Sequence, residues 1–374
     1  MNTLKDRTWL RADAGGREGS WAQTCAGLGA VGWAAIAILA RVGVAPIGAI
    51  ELIFLFAPLV IVPLGMELVR VMGTAGRIDL VARKLQPVAA GLAVISFWLP
   101  PGKAAGAFAL VWLFLCVLLG FGGVTGFVSG FLNKPPAAQI PTSGNIGQSL
   151  RLRSGQARAT RLLDADRLAG LAIVVARIDL VVGGAWFVAS RLGLRPMGIQ
   201  EPIGLLTAVH FHFAGFATAL IAAATLHFAR SSAAERWLRW CVLAVVGLPY
   251  VVGVGFVVSP LAKMVAGVAF SVAVAALALF LRSSGKTARE STARILLQIA
   301  PACVFAGMVL AGVYAIADFR GSDVLPIPQM ARTHGVLNAV GFCMCGLLGW
   351  LIEFNSPTEQ NRLRTEARII RHRR

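Results

Sequence analysis

The stretch AAGAFALVWLFLCVLLGFGGVTGFVSG, residues 104–130, runs for 27 residues without one charged side chain. About 20 apolar residues carry an α-helix across the roughly 30 Å hydrocarbon core of a bilayer. In water a helix keeps a polar face, so one that is apolar all round is buried in a large core or in lipid. This stretch therefore reads as a transmembrane span, and the rest of the chain decides how many accompany it.

Working outward, nine further apolar runs fall at 25–42, 48–69, 86–102, 168–190, 203–227, 237–256, 260–281, 295–317 and 333–353. The chain is 57% hydrophobic and only 14% charged, where a soluble domain carries about a quarter charged residues. Helices satisfy their own backbone groups, which lipid cannot do. The fold class predicted is all-α, a polytopic bundle of ten spans. Pro100-Pro101-Gly102 and Ser259-Pro260 are links too short for anything but antiparallel neighbours. The predicted organisation is a cytoplasmic segment 1–24, spans one to four within 25–130, a basic loop 131–167, spans five to ten within 168–353, and a basic tail 354–374. The first 23 residues are polar and mixed in charge, unlike a cleavable signal peptide.

The net charge of +18 would suggest nucleic acid in a soluble protein. Here the cations sit in the links, so nucleic acid is not expected and lipid is. With a cytoplasmic N-terminus and alternating spans, 27 Lys or Arg fall inside. Seven fall outside (Arg41, Lys103, Arg191, Arg195, Lys263, Arg320, Arg332), and Arg177 is mid-span. This asymmetry predicts both termini in the cytoplasm of a plasma membrane. Arg151, Arg153, Arg158 and Arg161 set orientation or lie on anionic headgroups. The six cysteines lie in or beside apolar runs without a CxxC pair, so neither disulfide nor zinc is expected. No cofactor is called for, the oligomeric state stays open, and no matched pair of interrupted segments supports an inverted-repeat transporter.

Ionisable groups in lipid cost about 2.5–3.5 kcal/mol each on insertion scales, so each is a site candidate. Alternating directions put Glu51, His210, His212, His334 and Asn338 in the outer half, with Tyr250, Tyr314, Asp318 and Trp98 at similar depth. Glu67 and His227 fall near the inner surface and are expected to be solvated. Arg177 and Asp179 cannot share a face, so each is expected to pair with another helix. His210 and His212 differ by about 200° on a regular helix, so they cannot chelate one ion together. His334 and Asn338 are one turn apart on one face. A lone intramembrane histidine reads first as an interhelical hydrogen bond; three at one depth beside carboxylates read as a site.

LTAVHFHFAGFA (206–217), RTHGVLNAVGF (332–342) and SRLGLRPMGI (190–199) resemble the YndJ-like family of bacterial integral membrane proteins. The resemblance implies a membrane protein and directs attention to the histidines; it implies no reaction. From the residues we expect an enzyme acting on a lipophilic small molecule by acid–base chemistry: isomerisation, cyclisation or hydrolysis. His210 and His334 would transfer protons, with Asp318 or Glu51 as partner carboxylate. His212, Asn338, Tyr314, Tyr250 and Trp98 would bind substrate. The alternatives are a proton-coupled transporter, or a haem or metal protein with His210 or His212 opposite His334.

Overall fold

A computed structural model describes residues 19–133, 165–229, 234–322 and 324–357. Most of the N-terminal segment, of the basic loop and of the tail lie outside the described residues, with their basic groups. Ten long helices carry the described chain. They are α1 Gly19–Arg41, α2 Ala49–Val71, α3 Arg77–Ser96, α4 Lys103–Asn133, α5 Ala165–Leu192, α6 Ile203–Phe228, α7 Glu235–Val258, α8 Pro260–Lys286, α9 Ser291–Phe319 and α10 Ile327–Phe354. Among the described residues there is no strand.

Nine of the ten are long and apolar enough to cross a membrane. The exception is α3. The apolar run predicts the third span at 86–102, whereas the helix covers Arg77–Ser96 and residues 97–102 form the turn into α4. Arg77, Asp79, Arg83, Lys84 and Gln86 lower the apolarity of its first half. Its 20 residues still extend about 30 Å. It is tied into the bundle by Gln86, which donates to the Pro58 carbonyl in mid-α2 at 2.7 Å. At its end, Arg191 of α5 donates to the Ser96 and Leu99 carbonyls at 3.1 and 2.7 Å.

Successive helices pair as hairpins, α3 with α4, α7 with α8 and α8 with α9. The α7–α8 corner is closed by Ser259, whose hydroxyl caps α8 by accepting from the Ala262 N–H at 3.1 Å. α1 lies on the outside, whereas α2, α5, α6 and half of α10 form the inner layer. In α6 every residue from Thr218 to Leu226 is buried, so this helix is enclosed on all sides at that level.

Three inner helices depart from α geometry along part of their length. π-helical turns occupy Ala57–Ile61 of α2, Phe211–Ala217 of α6, and Ala331–Gly335 and Leu337–Met344 of α10. In α2 the cause is local: Pro58 has no N–H for the preceding turn. The turns in α6 and α10 touch each other and that of α2. π-helical turns are rare and concentrate at functional sites. All six cysteines are unbridged.

Candidate functional site

α6 and α10 are direct neighbours: the Cys343 thiol of α10 lies 3.9 Å from the Phe213 carbonyl of α6. The histidines of the two helices separate into three environments. His212 is fully buried between the rings of Phe54 and Trp112. Its Nδ1–H donates to the Ala208 carbonyl at 2.7 Å, and its Nε2 accepts from the Trp112 indole at 3.0 Å. Both nitrogens are committed, and His212 packs as a core residue.

His210 points the other way and is exposed, although it sits eight residues into α6. Its Nδ1 lies 2.6 Å from the Leu206 carbonyl. A carbonyl only accepts, so Nδ1 carries the proton and the Nε2 lone pair is left open. His334 repeats this arrangement from α10. Its Nδ1 donates to the Gly307 carbonyl of α9 at 2.8 Å. Among the described residues neither His210 nor His334 has a hydrogen bond at Nε2. Asn338 braces His334 by donating from Nδ2 to its carbonyl at 2.7 Å. α9 comes this close because residue 307 is glycine; a Cβ there would lie 2.7 Å from the Asn338 amide.

The other candidates are distributed differently. Glu51 is half-buried in the first turn of α2, in the field of Arg191. Arg191, one of the seven cations expected outside the spans, has its guanidinium buried over the Phe97 ring. Asp318 does not join the histidines. It pairs with Lys263 of α8 at 2.7 Å, and it lies 11 residues, or about 16 Å, further along α9 than Gly307. Tyr314 is in the field of Asp318, and Trp98 is exposed in the α3–α4 turn. Tyr250 of α7 donates to Asp179 of α5 at 2.6 Å.

Arg177 pairs with Asp79 of α3 at 3.0 Å, a partner that the sequence hides at a helix start. The Gly122-Gly123 pair of α4 makes room for its stem, since a Cβ on Gly123 would lie 2.7 Å from the Arg177 Cδ. Glu67 and His227 are not solvated as expected. Glu67 is buried and accepts from the Arg70 Nε at 3.0 Å, and His227 is half-buried against Phe228 and Phe354. Among the described residues no group of three or more His, Cys, Asp or Glu could hold a metal ion. Two hollows lie elsewhere, about 220 Å³ beside Gly76, Gly122 and Thr125 and about 410 Å³ beside Trp237, Trp240 and Phe280.

Comparison with known proteins adds a family and no reaction. A family model described as YndJ-like protein matches residues 52–342. The chain is also similar to the uncharacterized membrane protein YndJ of Bacillus subtilis (strain 168), with 30% identity over 224 residues. That match covers 58% of this chain and 38% of the relative, so the chain spans well under half of the relative's length. No solved structure matches.

Proposed function

Because this chain belongs to the YndJ-like family, whose relative named above is itself uncharacterised, we propose its function from the site: an integral membrane enzyme that moves a proton on a lipophilic small molecule. The observation that supports this reading is the His210–His334 pair. Each imidazole anchors Nδ1–H on a backbone carbonyl and leaves Nε2 without a partner among the described residues. A neutral imidazole held so is ready to take a proton at Nε2 and return it. Two of them on neighbouring helices supply a base and, once one is protonated, an acid. Asn338 has its amide N–H committed to His334 and its Oδ1 left to accept from a substrate hydroxyl or amide. Isomerisation, cyclisation and hydrolysis all fit this equipment.

The test compares lipid extracts of membranes from cells making wild type, His210→Gln, His334→Gln and the double variant. A conversion that depends on wild type should fall about 10²–10⁴-fold in each single variant, the usual loss for one proton-transfer group. It should fall little further in the double, because groups acting as a unit are non-additive. Unchanged composition with an altered distribution of one species across the membrane would instead establish a transporter. The π-helical turns lie in the second, sixth and tenth helices, which are not equivalent positions in a five-plus-five repeat.

We also propose that the histidine-bearing end faces outward across a plasma membrane, on the strength of the 27-to-7 asymmetry. A reporter fused after Arg374 should be active only in the cytoplasm, and one inserted between Phe319 and Ile327 only outside. The reverse result at either site refutes the orientation.

A further inference from the structure

Asp179 lies at the middle of α5, 1% exposed, and the histidine pair makes no use of it. Its Oδ1 accepts one hydrogen bond, from the Tyr250 hydroxyl at 2.6 Å. Its Oδ2 is buried without any partner. An ionised carboxylate has about four lone-pair positions to satisfy and a charge to compensate. The charged and titratable groups around it do not meet that demand. Arg177 is two residues away on the same helix, about 200° round, and is held by Asp79. His212 of α6 abuts Gly183, one turn further along α5, with both nitrogens committed. On the α7 side stands Tyr250, and α4 presents glycines and the Leu119 carbonyl to Arg177.

A bound metal ion does not resolve the imbalance either. α6 closes on the carboxyl through Gly215, where a Cβ would lie 2.8 Å from Oδ2, and a cation asks for several oxygen ligands where Tyr250 is the hydrogen-bond partner of Oδ1 and Oδ2 has none. A proton needs no such set of ligands. A buried neutral hydroxyl without a partner costs far less than a buried charge without one.

We propose that Asp179 is a proton-binding site at the centre of the bundle, carrying its proton at neutral pH, with Tyr250 as the residue that holds the carboxyl in place. Tyr250 itself reaches the surface of α7 with its ring against Phe211, so the site connects the buried carboxyl to the outside of the bundle through one hydroxyl. It is independent of the histidine pair, and it stands whether the protein is an enzyme or a transporter.

Infrared spectroscopy of the purified full chain at neutral pH tests this directly. The expected result is a carboxylic-acid C=O band that shifts slightly to lower frequency in D₂O and is missing from Asp179→Asn. In Tyr250→Phe, which keeps the carboxyl, the band should persist and move to higher frequency, because its carbonyl has lost a hydrogen bond. Two results overturn the proposal: an Asp179→Asn spectrum that loses carboxylate intensity and no carboxylic-acid band, or a Tyr250→Phe spectrum in which that band neither moves nor changes. The second holds even if Asp179→Asn does not fold.

Discussion

His212→Ala is expected to destabilise the protein by on the order of 4 kcal/mol, while His210→Ala, two residues away, stays within about 0.5 kcal/mol. His212 is enclosed by Phe54 and Trp112, and its removal opens a cavity in the layer where α2, α4 and α6 meet. It also leaves the Trp112 indole N–H without an acceptor, at about 1–3 kcal/mol by itself. His210 has only its local bond to the Leu206 carbonyl and one exposed side. Denaturant unfolding of both variants in detergent micelles measures the difference. Similar losses in the two would show that burial does not separate their roles. The contrast matters for function, because a variant that unfolds says nothing about chemistry. His210 and His334 are the positions where lost activity with retained yield is informative.

Breaking the Arg177–Asp79 pair should cost as much. The two side chains are 3% and 10% exposed and 3.0 Å apart, with the guanidinium also reaching the Leu119 carbonyl at 3.4 Å. Removing one partner strands a buried charge, a change that destabilises by about 3–5 kcal/mol. Arg177→Met and Asp79→Leu are each expected to lose that much, and Arg177→Met/Asp79→Leu to recover most of it, because the double variant has no charge left to strand. The coupling between the two comes from the same unfolding measurement applied to a double-mutant cycle. Additive losses would mean that the residues pack independently. The pair also fastens the first turn of α3, the least apolar helix, to the middle of α5, so the single variants should loosen α3 first. Hydrogen exchange in residues 77–96 reads that out.

The span pattern was legible because a bilayer applies a one-dimensional test: apolar length along the chain, with basic residues in the links. That test read nine spans well and drew the third nine residues late. There a polar helix start, Arg77 to Gln86, is embedded by partners from α2 and α5 that no window over α3 can register. Helix rise is constant, so the same apolar runs predict one level for His210, His334 and Asn338. Even the opposed directions of His210 and His212 followed from helical geometry.

Depth is a single coordinate, however, and a site needs three. Apolar length predicts one half of the membrane for Asp318 and the histidines, yet Asp318 pairs with Lys263 about 16 Å further along α9 than Gly307. The partners that assign roles come from far along the chain: Trp112 for His212 at a separation of 100 residues, Gly307 for His334 at 27, Tyr250 for Asp179 at 71. One of these partners is a backbone carbonyl, which every residue possesses and no sequence pattern marks. The sequence by itself determined that this is a helical membrane protein, because that follows from apolar length along the chain. Which histidine is sealed in the core, which two keep an open nitrogen, and which carboxyl is left with an orphaned oxygen were decided by the tertiary structure alone, because hydrogen bonds between helices depend on which faces meet.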